Sequence, residues 1–175
     1  MMLKIGIRLQ RILIALCLLA LPAGMLTGCA KSEENPNAIL EGVIRQSDAI
    51  IKYLQDTKQD SGITLHPSGL VYKVLNEGYH TDTISLEEIP VVTFTRRLLG
   101  NDQIIESSPL PTSFDNRKLK DHIPGWQYGL PMISKGGRIQ LFIPSRLAFG
   151  NVGIPGKIPP NAILFCDITL IDIRK

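Results

Sequence analysis

IPGWQYGLPMISKGGRIQLFI, residues 123–143, decides the fold. Its first half predicts a short helix over 124–133. Pro124 suits the first turn, where a missing N–H leaves nothing unpaired, and Trp126, Leu130 and Ile133 then share one face. Ser134-Lys135-Gly136-Gly137 is a turn, and residues 138–143 read as a strand. Outward from this core, strands dominate on both sides. Toward the C-terminus, residues 151–160 form a loop with Gly153, Gly156 and several prolines, and residues 162–173 form the last and longest strand. Toward the N-terminus, VVTFTRRLL (91–99) is a long strand, and residues 103–106 return antiparallel after Gly100-Asn101. Residues 107–115, with Pro109 and Pro111, read as a loop. LVYKVL (70–75) is a strand behind the Pro67-Ser68-Gly69 turn, and residues 63–66 are a short strand candidate. No βαβ alternation or internal repeat occurs. The pattern predicts an α+β domain, an antiparallel sheet wrapped on one short helix.

Ahead of the domain, Ile39, Leu40, Val43, Ile44, Ile50, Ile51 and Leu54 recur at steps of three, four and seven. They predict an amphipathic helix over 37–60, with Asn35 or Asn37 as its cap beside Pro36. Its apolar stripe either packs on the following domain or docks a partner.

The first 28 of the 175 residues have a separate character. Lys4, Arg8 and Arg11 lie there with no acidic residue, so without them Lys+Arg falls from 19 to 16 against 16 Asp+Glu. The chain's pI of 8.8 is therefore an N-terminal property. A nucleic-acid partner would want the basic patch in the folded part. The basic flank, the apolar run 12–21 (ILIALCLLAL), and the break at Pro22 and Gly24 have the layout of an export signal. Leu26-Thr27-Gly28-Cys29 resembles the bacterial lipobox. The resemblance implies cleavage before Cys29 and lipidation of its thiol, making 1–28 a lipoprotein signal peptide and 29–36 a polar tether. The other reading is an uncleaved membrane helix, since residues 12–30 carry no charge. Acyl chains contribute about 0.8 kcal/mol per buried CH₂, enough for several to hold a chain on a membrane. Ala30 after the cysteine fits outer-membrane sorting, periplasmic or surface-facing, in the cell envelope.

Most site chemistries lack their residues. His66, His80 and His122 are far apart, and no Cys/His pair has metal-ligand spacing, so neither a metal nor a cofactor is expected. Neither a phosphate-binding glycine loop nor a G-x-S-x-G elbow occurs. Glu33-Glu34 and Glu87-Glu88 read as solvated charge. Cys17, Cys29 and Cys166 make no disulfide framework, and Cys166, inside the last strand, reads as a small buried hydrophobe.

Four segments together resemble the FKBP-type peptidyl-prolyl cis–trans isomerases: Ser68–Leu75 (SGLVYKVL), Ile123–Leu130 (IPGWQYGL), Ile143–Gly150 (IPSRLAFG) and Gly156–Leu164 (GKIPPNAIL). Order and spacing match from about Gly62 to Arg174, which makes 62–175 the isomerase domain. A helix preceding the domain of a lipoprotein also resembles the Bacteroidetes members, including gliding-motility-associated isomerases. The resemblance implies an FKBP-like bent antiparallel half-barrel around one short helix, acting on proline-containing polypeptide clients. It makes Trp126 the floor of a proline pocket and lets the Ile123 N–H meet a substrate carbonyl. Phe94, Ile105, Phe149 and Ile158 become walls, with Phe114 beside them. By pattern alone, Trp126, Ile123 and Phe94 would be core residues in any such fold.

The pocket departs from the family at several positions. Phe94 and Phe149 stand where tyrosines are usual, Ile105 where phenylalanine is, Glu106 for aspartate, His122 for valine and Cys166 for phenylalanine. These changes predict a pocket that is less aromatic and wider, with the carbonyl-directed hydroxyl lost at Phe149. A neutral hydrogen bond is worth about 0.5–1.5 kcal/mol, so activity up to roughly tenfold lower is expected. Two other functions stay open: a binding or chaperone module that keeps the fold without turnover, and an accessory subunit of a membrane complex docking through the N-terminal helix.

Overall fold

The computed structural model describes residues 36–79 and 82–175. The signal, Cys29, the tether up to Asn35 and His80 lie outside the described residues. The elements are α1 (Pro36–Asp56), β1 (Thr64–Leu65), β2 (Val71–Asn76), β3 (Ile89–Leu98), β4 (Ile104–Thr112), α2 (Pro124–Gly129), β5 (Arg138–Ile143) and β6 (Leu164–Arg174). Single 3₁₀ turns occupy Leu119–Asp121, Leu130–Met132 and Ser145–Leu147. The six strands form one antiparallel sheet in the order β1-β2-β5-β6-β3-β4.

Period-two alternation gives this sheet two apolar faces. Val92, Phe94, Ile139, Leu141, Ile143, Leu164, Ile168 and Leu170 are buried on the inner face with Trp126, Leu130 and Ile133 of the α2 segment. Close contact there depends on two glycines one helical turn apart. A Cβ on Gly125 would lie 2.5 Å from Ile143 Cγ2, and one on Gly129 would lie 2.6 Å from Leu141 Cδ2. On the outer face Val71, Phe142 and Phe165 cluster with Ile50 and Leu54 of α1.

Ile50 and Leu54, with Ile51 beside them, therefore pack on the chain's own sheet, although Ile44 stays exposed. Side-chain bonds fix the helix: Ser47 Oγ donates to Gly69 O (2.9 Å), and the Ser145 N–H donates to Gln46 Oε1 (2.8 Å). The helix ends at Asp56 rather than residue 60, because Gln59 N–H turns back to Leu54 O (2.7 Å). Among the described residues, no helix is long and apolar enough to cross a membrane.

One expected loop is a strand. Residues 107–112, prolines included, continue β4, pairing Ser107 with Thr95 and Thr112 with Val92. β4 is last in the sheet order. Proline lacks only an N–H, which a strand pairing on one side can spare. Of residues 130–133, expected in the helix, Leu130–Met132 instead tighten into a 3₁₀ turn after α2, and Ile133 is extended.

Candidate active site

The pocket residues come from separate pieces of backbone that converge over α2. Trp126 is fully buried, and the edge of its ring meets Phe94 of β3 (centroids 5.3 Å, planes at 80°). Phe114 meets the same indole at 5.6 Å and 71°, and His122 lies nearly parallel to it at 5.2 Å and 15°. Phe114 arrives by a strained path: Phe114, Asp115 and Asn116 hold φ of 51°, 57° and 62°. Left-handed backbone costs non-glycine residues about 1–2 kcal/mol each, with Asn and Asp the usual exceptions. Local bonds offset it, with the Phe114 N–H donated to Thr112 Oγ1 (3.2 Å) and the Arg117 N–H to Ser113 O (3.0 Å).

Ile123 follows directly, as the N-cap of α2. Its C=O accepts from Trp126 N–H (2.9 Å), while its own N–H finds no acceptor among the described residues. That leaves a donor at the pocket edge. Ile158 is held inward by a two-way bridge with Ile154, each N–H donating to the other's carbonyl at 2.8 Å. Ile105, Phe149 and Ile123 are half-buried against the same core as Trp126, Phe94, Ile158 and Cys166. The structure thus brings together all the expected apolar pocket residues, with the expected His122 beside them.

Arg96 is the addition that the sequence reading missed. It lies two residues after Phe94, so strand alternation turns it to the same inner face, and it is 8% exposed. Its guanidinium carbon stands 5.4 Å from the Trp126 ring centre, 5.6 Å from Phe94 and 5.8 Å from Phe149. Nη1 donates to Glu106 Oε2 (2.6 Å) on β4, and Glu106 is half-exposed at the rim. In register, Leu141, Cys166, Arg96 and Glu106 form one row across four strands. Cys166 explains how the arginine fits. A small side chain directly opposite leaves the space that a ring would otherwise fill. Arg96 therefore lies buried beside the position that Cys166 leaves small. The available signal was a charge in phase with Val92, Phe94 and Leu98 on the otherwise apolar face of the strand.

The titratable groups respond to this burial. His122 has its pKa lowered from 6.5 to about 4, first by burial and then by the Arg117 charge. It is a neutral ring at pH 7. Burial likewise pushes the Cys166 thiol up against the opposing charge of Arg96, which keeps it protonated and unsuited to nucleophilic work. Among the described residues, no cluster of His, Cys, Asp or Glu has the make-up of a metal site.

The FKBP-type peptidyl-prolyl cis–trans isomerase family matches residues 83–171, ending within β6. The chain belongs to this family. FkpA of Escherichia coli, an FKBP-type peptidyl-prolyl cis–trans isomerase, is 35% identical over 125 residues, covering 70% of this chain and 44% of its own. The isomerase Mip of Coxiella burnetii is 32% identical over 126 residues, covering 70% of this chain and 53% of its own. The chain thus spans about half the length of these relatives. The crystal structure of FkpA from Escherichia coli superposes with a TM-score of 0.64 at 30% identity, covering 79% of this chain and 64% of the other. The FKBP-like sheet and short helix predicted from sequence are those of the family.

Proposed function

We propose that this chain is an active FKBP-type peptidyl-prolyl cis–trans isomerase, lipid-anchored through Cys29 in the cell envelope, which speeds folding of exported proline-containing polypeptides. The observation that carries the activity is Trp126 enclosed by Phe94, Phe114 and Ile158 beside the free Ile123 N–H.

The chemistry asks for little more. X–Pro rotation meets a barrier of about 18–20 kcal/mol because amide resonance is lost at the twisted state. An enclosure that removes water from the substrate carbonyl and fits the twisted conformer better than either planar one lowers that barrier. Each ~1.36 kcal/mol of preference is a tenfold rate gain. Trp126 serves as floor for the prolyl ring, and the Ile123 N–H holds a substrate carbonyl in register. Phe94, Phe114, Ile105, Phe149 and Ile158 exclude water.

The test is isomerisation of X–Pro peptides by the full chain in detergent. Acceleration lost in Trp126→Ala supports the reading, and no acceleration over several X residues overturns it. For the anchor, mass spectrometry of the membrane-bound chain should find acyl groups on Cys29 that Cys29→Ser abolishes. A cleft that binds without turnover is the second reading. It draws on the covering of Trp126 by His122 and Arg96. Tight peptide binding without acceleration would favour it.

A further inference from the structure

A charged guanidinium within a proline pocket invites a role in the rotation, given the electronic structure of the amide. In the planar amide the nitrogen lone pair is delocalised into the carbonyl, so the nitrogen accepts no hydrogen bond. At the twisted state that lone pair returns to the nitrogen. A donor placed beside it therefore acts on the transition state and not on either planar form, which is the condition for faster turnover rather than tighter binding.

Arg96 meets the geometric requirements. Its guanidinium is held against Trp126, Phe94 and Phe149, the rings between which a prolyl residue would seat. Glu106 engages Nη1 and orients the planar group from the rim. The Nε–H is buried and has no hydrogen-bond partner. Arginine carries five N–H donors and stays protonated at any working pH, so it can donate without passing on a proton. Cys166, opposite in register, admits the side chain at this depth. Phe149 lacks a hydroxyl, which leaves Arg96 as the charged donor of this wall.

We propose that Arg96 is a further catalytic residue, whose guanidinium donates a hydrogen bond to the prolyl nitrogen of the bound X–Pro bond as that bond twists. The N–H stays on the arginine throughout, and no covalent bond forms or breaks. The proposal rests on the isomerase reading above.

The experiment measures kcat and KM on X–Pro peptides for the full chain in detergent, for Arg96→Met and for Arg96→Lys, with a thermal melt of each. Arg96→Met, which keeps the packing, is expected to lower kcat about 10- to 100-fold, the worth of a charged hydrogen bond, with KM within about twofold of wild type. Arg96→Lys restores part of kcat, since it keeps a donor without the fork. A folded Arg96→Met with unchanged kcat, or one that changes KM alone, overturns the proposal. Should that variant not fold, the Arg96 Nε–H resonance of the wild type decides. A shift and slower solvent exchange on saturation with an X–Pro peptide support the role, and an unmoved resonance overturns it. A wild type that accelerates nothing sinks the isomerase reading and this proposal with it. An active wild type indifferent to Arg96→Met sinks only this proposal.

Discussion

On the inner face of the sheet, Arg96 is buried among Trp126, Phe94 and Phe149 and is tied to Glu106. On the outer face its neighbour Arg97 stacks on Phe165 at 4.5 Å, with one weak contact to the exposed Asp102 (3.3 Å). The two residues have the same chemistry and adjacent positions on β3. Strand alternation sends one into the pocket and the other to the side where α1 packs. The difference shows that the two faces do different work. The outer face is an apolar seam closed by Ile50 and Leu54. The inner face holds a charge at depth. Such a group is costly to bury, and it persists only where a partner and room are provided.

Substitutions can break this comparison, and the largest effect belongs to the inner face. Trp126→Ala should cost about 3–5 kcal/mol by chemical denaturation and remove peptide isomerisation in whatever remains folded. Retained activity would separate the indole from turnover. Leu54→Ala on α1 should cost about 2–5 kcal/mol while leaving kcat of the folded fraction unchanged, because the outer seam contributes stability alone. A fall in kcat at matched folded concentration would show that the faces are coupled.

A smaller effect comes from His122. Its folded pKa of about 4 lies below the ordinary 6.5, so between those values the unfolded chain binds more protons than the folded one. Stability is therefore full above pH 6.5 and declines as pH falls toward 4. A thermal melt should drop by a few degrees over that window, and His122→Gln should remove that part of the drop. An identical profile in the variant would place the pH dependence elsewhere. Smallest of all, Arg97→Met should change stability by no more than about 0.5 kcal/mol and leave kcat untouched, in contrast to Arg96→Met. If the two arginine variants behaved alike, the assignment of separate roles to the two faces would fail.

Much of the fold could be read from residues alone, because it rests on local rules. Residues 138–143 are bounded by a glycine turn and Pro144, and the strand spans exactly Arg138–Ile143. The helix at Pro124 follows from a missing N–H and a one-sided stripe. β4 was half misread, because proline argues against a strand unless that strand lies at an edge, and edge position is a property of the whole sheet. In the same way, the candidate pocket residues came from the family resemblance, while the turn at Phe114–Asn116 that carries one of them inward has no simple local pattern.

What the sequence determined by itself was the order of elements and the antiparallel class, because periodicity and turn residues act over a few neighbours; the candidate pocket residues came from the family resemblance. What only the tertiary structure decided was the content of that pocket. Arg96, Cys166 and Glu106 are separated along the chain but share one cross-strand row. Whether the arginine could be buried there depended on the size of the residue opposite and on a carboxylate at the rim. Both are consequences of register, which forms only when the whole sheet is assembled.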